Sequence, residues 1–387
     1  MKTIKVCDET PLNDILIDAT AIEVPDIIEI IGNHVLYGKT VLKGIELPQT
    51  IKTLNNNSFF PNELNTIIIP IRINEIGISA FKRCLLLTTI TIPNSVTKIG
   101  EKAFKGCSSL INITIPNSVT EIDYKAFSGC SSLTNIIIPN SVTKIGNGAF
   151  RQCSSLKNIK IPDGITKIDD NTFEEATSLK NVIIPNSVTE IGKNAFLACS
   201  FINIIIPNSV ISIDNGAFSN CLALTDIAIP NSVTQIGNFV FMKNSMLINV
   251  TIPNSVTQIG NNVFWECSSI TNIVIPNSVA EITDYMFYNC TSLVNITIPN
   301  SVTKICREAF SGCSSLVHII IPDSVEKIDS FAFSRCVSLF DITIPNSVKE
   351  IGTDIFKGCL SLTSLTIPKK LVKKKSNYPK NCNVIKI

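Results

Sequence analysis

One phrase recurs along most of the 387-residue chain, and its fixed period constrains the fold more than any other feature. A proline marks each copy of the phrase, and thirteen of the fifteen intervals between these prolines are 23 residues long. The intervals from Pro48 to Pro70 and from Pro185 to Pro207 are one residue shorter. A unit this short cannot bury its own apolar face, so successive units stack into a continuous body. We therefore predict one elongated domain instead of the two or three that length alone suggests. The marking prolines are Pro25, Pro48, Pro70, Pro93, Pro116, Pro139, Pro162, Pro185, Pro207, Pro230, Pro253, Pro276, Pro299, Pro322, Pro345 and Pro368.

Each repeat contains two short extended segments. Leu110, Ile113 and Ile115 have the spacing L-x-x-I-x-I, which is typical of the inward face of a leucine-rich repeat strand. Proline cannot donate to a sheet, so we expect it to end this strand and the following Asn-Ser to form a corner. The segment SVTKI then predicts a second strand with Val96 and Ile99 pointing inward.

The position after the second strand predicts a helix start. Gly, Asp and Thr exchange there, which is the preference of a helix N-cap, so one short helical turn such as EKAFKGC is expected to follow. The predicted fold class is a leucine-rich repeat solenoid, mostly β, with parallel stacked strands and one short helical turn per 23-residue repeat.

Phenylalanine and cysteine recur at fixed positions and predict two interior columns. A phenylalanine lies eleven residues after a marking proline in fourteen repeats, from Phe59 to Phe356. Such rings bury about 150 to 250 Å² each, so a stacked column would hold the repeats together. Twelve of the fourteen cysteines lie fourteen residues after a proline, and Ala176 and Asn244 occupy the same position elsewhere. That exchange is incompatible with a disulfide framework and favours buried, reduced thiols.

Chemistry-bearing motifs are sparse. Cys7 and Cys306 lie outside the column, and Cys306 at a predicted N-cap would have a lowered pKa if exposed, so a reactive thiol is one hypothesis for each. His34 and His318, the two histidines, are many repeats apart, which disfavours a catalytic pair. We expect no catalytic residues, no metal site and no cofactor, and hence no enzyme.

The ends of the chain predict caps. Residues 1–24 are expected to cap the N-terminal end, residues 25–368 to form about 15 repeats, and residues 369–387 to form a degenerate last repeat with a basic cap. No secretory signal or membrane-spanning apolar stretch is visible, which predicts a soluble protein, either cytoplasmic or displayed on the cell by a non-classical route.

The repeat IPNSVTKIGEKAFKGCSSLINIT, which begins at Ile92, closely resembles the BspA-like, or Treponema-type, leucine-rich repeat. The resemblance runs from about Val24 to Pro368. It implies a solenoid without catalytic residues, of the kind found in surface proteins and surface antigens of mucosal bacteria and anaerobic protists. It also implies a role in adhesion to proteins of the host or of neighbouring cells.

The outward residues of the first strand predict a contact surface of Thr, Ile and Asn. Two explanations stay open: β-branched residues with asparagine ladders serve the strands alone, or an exposed apolar strip binds a partner. If a protein ligand binds this surface, we place it on the most apolar stretch and the charges around it. The candidate residues are Ile183, Ile202, Ile205, Ala228, Lys160 and Asp226.

The basic tail also has two interpretations. Its lysines either cap the solenoid and prevent end-to-end stacking, or contact an anionic membrane or an acidic partner. They are Lys369, Lys370, Lys373, Lys374 and Lys375. The net charge of the whole chain, +2, gives no reason to expect that nucleic acid or an acidic partner is recruited by long-range electrostatic steering. We predict a monomeric, non-catalytic scaffold that binds a protein along the sheet; the alternative is an intracellular scaffold that uses the lysine tail.

Overall fold

Each repeat makes one turn of a coil, here called a rung, and each rung has three sides. A front strand precedes the marking proline, a corner leads to a back strand, and a run of turns carries the chain to the next front strand. The computed structural model describes residues 3–5, 21–24, 26–27, 30–33, 43–372, 379 and 382–387.

The chain divides into two units, and both are parallel β-solenoids. Unit 1 comprises Met1–Val188 and Ala195–Cys199, and unit 2 comprises Thr189–Asn194 and Ser200–Ile387. The predicted solenoid with parallel stacked strands is confirmed in each.

The strands are two to four residues long, and over most of the chain a front strand is followed by a back strand. Those of unit 1 are β1 Thr3–Lys5, β2 Ala21–Glu23, β3 Ile30–Ile31, β4 Gly44–Glu46, β5 Thr53–Leu54, β6 Thr66–Ile68, β7 Glu75–Ile76, β8 Thr89–Thr91, β9 Lys98–Ile99, β10 Asn112–Thr114, β11 Glu121–Ile122, β12 Asn135–Ile137, β13 Lys144–Ile145, β14 Asn158–Lys160, β15 Lys167–Ile168 and β16 Asn181–Ile183. Those of unit 2 are β17 Glu190–Ile191, β18 Ser212–Ile213, β19 Asp226–Ala228, β20 Gln235–Ile236, β21 Asn249–Thr251, β22 Gln258–Ile259, β23 Asn272–Val274, β24 Glu281–Ile282, β25 Asn295–Thr297, β26 Lys304–Ile305, β27 Lys327–Ile328, β28 Asp341–Thr343, β29 Glu350–Ile351, β30 Ser364–Ile367 and β31 Asn383–Lys386.

Equivalent residues of neighbouring rungs pair in register. Asn112 faces Asn135 and Ile113 faces Ile136 in the front sheet, and Ile99 faces Ile122 in the back sheet. Because the side-chain period of a strand is two, this register places every inward residue in the core and every outward residue in one row.

The corner confirms the predicted role of Pro-Asn-Ser. The Val96 amide donates to the Pro93 carbonyl at 3.1 Å, which closes a β-turn over these residues. The serine has a further role that the sequence did not indicate, since Ser118 Oγ donates to the Val96 carbonyl of the preceding rung at 2.6 Å. The same bond ties other corners to the one before, as from Ser141 to Val119 at 2.8 Å and from Ser187 to Ile165 at 2.6 Å.

The predicted helical turn is wrong, because the segment from Gly100 to Cys107 is a run of β-turns. The Lys105 amide donates to the Lys102 carbonyl at 3.0 Å, as in a turn, whereas the Phe104 amide donates to Ala126 of the next rung at 2.8 Å. Every second amide therefore points along the solenoid axis and bonds to another rung. A helix would need every amide to bond to a carbonyl of the same segment. Positive φ angles at Lys102 (57°) and Gly106 (75°) turn the backbone between the two directions. Within the described residues, the 3-10 helix Lys369–Leu371 is the one helix.

The core confirms the predicted phenylalanine column within each unit, and eleven of the twelve column cysteines are buried, whereas Cys382 in the last repeat is half-exposed. Phe59 to Phe196 stack in unit 1 with neighbouring ring centroids 4.9 to 5.7 Å apart. Phe218 to Phe356 stack in unit 2 at 5.5 to 6.0 Å. All of these rings are buried, so each rung supplies an apolar surface that the next rung covers.

Candidate partner-binding surface

The cysteine column is structural, and its thiols act as hydrogen-bond donors. Cys107 Sγ donates to the Phe81 carbonyl of the preceding rung at 3.0 Å, and Cys290 Sγ donates to Phe264 at 3.1 Å. Asn244 occupies the same position and its Nδ2 donates to the Phe218 carbonyl at 3.0 Å. The position therefore favours a small buried donor, which explains why asparagine can replace cysteine there, whereas Ala176 shows that a small residue without a donor is also accepted.

The two cysteines outside the column have different outcomes. The hypothesis that Cys306 is a reactive thiol is wrong, because its side chain is buried and burial raises its pKa to about 12, although Lys304 acts in the opposite direction. A thiol with this pKa stays protonated at neutral pH and is a poor nucleophile. Cys7 lies outside the described residues.

The front sheet exposes isoleucine where several rungs carry threonine. Ile137 is 83% exposed, whereas the same position in the preceding rung is Thr114. Threonine satisfies strand propensity equally well, so strand formation alone does not account for isoleucine in contact with water. The large apolar residues exposed at this position are Ile68, Ile137, Ile183, Ile205, Val274 and Ile320.

The asparagine row next to these residues forms a ladder within each unit. Asn181 Nδ2 donates to Asn158 Oδ1 at 2.6 Å, and Asn295 Nδ2 donates to Asn272 Oδ1 at 3.0 Å. His318 belongs to this row, and its Nδ1 lies 2.5 Å from Asp341 Oδ1. The predicted side-chain ladder is thus present at these rungs, and it fixes the polar edge of the front surface.

Lys160 and Ile183, the two predicted site residues of unit 1, lie on one shallow depression of the front sheet. Ile183 is 60% exposed, and Ile137 lies on the other side of Lys160. Lys160 Nζ lies 4.0 Å from Asp163 Oδ2, an exposed and therefore weak ion pair. The lining residues are Asn135, Ile136, Ile137, Ile138, Asn158, Ile159, Lys160, Asn181 and Ile183.

The four predicted site residues of unit 2 are all exposed. Ile205 is 83% and Ile202 62% exposed, and Ala228 is exposed on β19. The carboxylate of Asp226 accepts hydrogen bonds from Thr225 Oγ1 at 2.6 Å and Asn249 Nδ2 at 2.5 Å. These two bonds lower the pKa of Asp226, so the carboxylate is ionised at neutral pH.

Two of the five predicted tail lysines fall in the part of the chain that the structure describes. Lys369 and Lys370 are exposed on the 3-10 helix, and Lys370 Nζ donates to the Asn346 carbonyl at 3.0 Å. Lys373, Lys374 and Lys375 lie outside the described residues. Both interpretations of the tail remain predictions.

The turn runs bring together aromatic residues that the sequence analysis missed. In unit 2 the ring of Trp265 lies 4.6 Å from that of Tyr288 and 5.3 Å from that of Tyr285. Arg335 donates to the Tyr288 hydroxyl at 3.4 Å from two rungs away. The signal in the sequence was that Trp265 and Tyr288 occupy the same position of successive repeats, each directly after the phenylalanine of the column.

Among the described residues, no group of three or more His, Cys, Asp or Glu side chains is arranged to hold a metal ion. Over those residues, no helix has the length and apolarity needed to cross a membrane.

Comparison with known proteins places this repeat in one family. The sequence profile of the BspA type leucine rich repeat region matches six copies, over residues 16–92, 74–202, 189–317 and 280–387. A leucine-rich repeat protein from Bacteroides ovatus is 32% identical, with 83% of this chain and 92% of that chain covered and a TM-score of 0.72. A leucine rich cell surface protein from Faecalibacterium prausnitzii is 29% identical, with 78% and 87% covered and a TM-score of 0.52. No curated protein matches the sequence. The chain therefore belongs to the BspA-type leucine-rich repeat family.

Proposed function

We propose that this chain is a non-catalytic recognition scaffold that binds a protein partner across its front sheet, in the manner of an adhesion or surface-recognition protein. The observation that carries the proposal is the exposure of isoleucine at Ile137, Ile183 and Ile205, where threonine would form the same strand. When a partner covers exposed apolar side chains, the free energy of binding becomes more favourable by about 25 cal/mol per Å² of apolar area that leaves water.

The depression of unit 1 suggests what a partner must offer. An apolar group would pack on Ile137 or Ile183, and an acidic group would meet Lys160, which lies between them. The asparagine ladder offers amide donors and acceptors along one side. Membership of a family of repeat scaffolds supports a binding role over catalysis.

Display on the cell surface is part of the proposal and can be tested by itself. The Faecalibacterium prausnitzii relative is described as a cell surface protein, which supports it. An antibody against the chain should label intact, non-permeabilised cells. Labelling only after permeabilisation would favour the intracellular alternative.

The partner-binding proposal is tested by quantitative capture with matched variants. The intact chain is immobilised and the proteins retained from an extract of host or neighbouring cell surfaces are compared for wild type, Ile183→Glu and Ile205→Glu. We expect the same protein to be depleted in one or both variants. Leu360→Glu is the control, because Leu360 is 77% exposed but lies outside the front strands. Equal retention by all four chains, each melting like wild type, would contradict this site.

A further inference from the structure

The turn runs of unit 1 bear a cluster of basic side chains on three successive rungs. Lys82 and Arg83 lie on the first rung, Lys102 and Lys105 on the second, and Lys125 on the third; these five are called the basic patch. The backbone brings them together, since the Arg83 amide donates to the Lys105 carbonyl at 2.8 Å and the Lys102 amide donates to Tyr124 at the same distance. Equivalent residues of successive rungs are thus direct neighbours.

The charge of the basic patch is largely uncompensated. Two acidic residues lie on the turn runs of these three rungs (residues 77–84, 100–107 and 123–130): Glu101, whose carboxylate lies 2.5 Å from Lys102 Nζ, and Asp123, which pairs with Lys98 at 3.2 Å. Five basic residues against two acidic ones give a net charge of +3. Among the described residues, no carboxylate lies within ion-pair distance of Lys82, Arg83, Lys105 or Lys125. Burial and the neighbouring lysines Lys125, Lys82 and Lys102 lower the pKa of Lys105.

Glycines and aromatic rings hold the basic side chains in place. A Cβ at Gly106 would lie 3.4 Å from Arg83 Cγ, and one at Gly148 would lie 3.1 Å from Lys125 Cγ. The aliphatic parts of Arg83 and Lys125 therefore pass directly over these two glycines. Lys102 Nζ and Lys125 Nζ lie 5.2 Å and 4.8 Å from the centroid of the Tyr124 ring. These cation–π contacts restrict the ammonium groups, which reduces the entropy that a ligand must remove.

We infer that the basic patch is a binding site for a sulfated polysaccharide, distinct from the front sheet and independent of the protein-binding proposal. Sulfate groups are compact anions that lysine ammonium groups bind as point charges. Rungs are spaced by about 4.8 Å, so the patch extends along the axis for about 10 Å between the first and third rungs, the length of about two sugar residues.

Charge alone would also attract single-stranded nucleic acid, but the geometry disfavours it. Proteins that bind such strands supply exposed aromatic rings on which bases stack. The aromatic ring at the centre of the patch, Tyr124, is engaged by Lys102 and Lys125. The patch therefore offers charge without a stacking platform, which suits a sulfated sugar chain.

The test is binding of the full-length chain to a heparin oligosaccharide, measured by calorimetry at physiological salt. We expect binding that weakens as salt is raised and that disappears with the desulfated oligosaccharide, because the interaction is electrostatic. The triple variant Lys82→Gln, Lys105→Gln, Lys125→Gln should bind about 10- to 100-fold more weakly.

A matched control removes the same charge from the same unit. In Lys52→Gln, Lys157→Gln, Lys180→Gln three exposed lysines outside the patch are neutralised, and wild-type affinity is expected. The triple variant Lys82→Arg, Lys105→Arg, Lys125→Arg should keep binding and exclude a folding defect. Equal loss in the patch and control variants, no binding by wild type, or tighter binding of oligo(dT) than of heparin would each overturn the inference.

Discussion

At the residue scale, most of what repeats in this chain is a donor, an acceptor or a ring that serves the neighbouring rung. Cys107 and Asn244 differ in polarity, but both donate to a phenylalanine carbonyl of the rung before. That carbonyl already accepts one amide, as from Cys84 to Phe81 at 3.1 Å, so the side chain satisfies its second lone pair. The burial of the cysteine column was predictable from the period, whereas the hydrogen bond from its side chains to the phenylalanine carbonyls was not.

The phenylalanine column makes a stability prediction. Phe218 is fully buried, stacked on Phe241 at 5.9 Å and in edge contact with Phe201 at 6.2 Å. Phe218→Ala should lower the free energy of unfolding by about 3 to 5 kcal/mol through lost burial and the cavity left behind. Chemical denaturation of the variant beside Phe340→Ala, an exposed control, measures this. A value below about 1 kcal/mol for Phe218→Ala would mean that the ring contributes little packing.

The buried thiols make a pH prediction. Burial raises the pKa of Cys153 from 9.0 to about 12, so the folded state keeps the proton that the unfolded chain releases. This contribution is complete below pH 9 and is lost as pH rises toward 12, at about 1.4 kcal/mol per pH unit for each such thiol. The unfolding free energy should therefore fall above pH 9, and less steeply in Cys153→Ala. Identical slopes for the two chains would show that this thiol is accessible or already ionised.

At the element scale, the chain makes its sheets from strands of two to four residues, each too short to be stable alone. Their stability comes from corners and turn runs that are bonded to the adjacent rungs. The alternation of burial in the strands was predictable, because it is local and has a period of two. The conformation of the turn run was not predictable, because the direction of each amide depends on a rung that is adjacent in space but distant in sequence.

The corner at Gly164 offers a stabilising substitution. Other corners carry serine here, and in the preceding rung Ser141 Oγ donates to the Val119 carbonyl at 2.8 Å. A Cβ at Gly164 would lie 3.5 Å from the Val142 carbonyl oxygen and 3.3 Å from Thr143 Cγ2, which leaves room after a small shift of that side chain. Gly164→Ser should raise the unfolding free energy by about 1 kcal/mol, from one hydrogen bond and a less flexible unfolded chain.

The control for this corner is the reverse change. Ser118→Ala removes the same type of hydrogen bond and should cost about 1 kcal/mol in the same denaturation experiment. If Gly164→Ser destabilises the chain while Ser118→Ala is neutral, the serine bond does not support the corners.

At the scale of the whole molecule, each unit is held together by contacts between successive rungs. Stability in such an architecture is close to a sum of rung and interface contributions, so the number of rungs is not critical. The outer surfaces of the rungs differ more than their cores, because each carries its own set of exposed residues. Exposed isoleucines follow the front sheet, and the basic patch and the Trp265 cluster occupy separate parts of the turn runs.

Removal of one complete rung from unit 2 tests this modular architecture. Deleting residues 300–322 joins Pro299 to Asp323 and keeps every column in register, so Phe333 takes the place of Phe310 against Phe287. We expect a cooperative thermal transition and a β-type circular dichroism spectrum. Deleting residues 300–310 removes half a rung, leaves inward residues facing water and should abolish the transition. Equal tolerance of both deletions would contradict packing in register.

The sequence by itself determined the period, the inward residues and the family, because these are carried by local patterns repeated at nearly constant spacing. It also located the exposed residues of the front strip, since alternation in a strand decides which side chains face out. The tertiary structure alone decided that the turn runs are not helical, that buried cysteines donate to phenylalanine carbonyls, and that lysines of three rungs form one basic patch. The physical reason is that each of these features depends on atoms of different rungs, which are far apart in the sequence and approach one another only when the rungs stack.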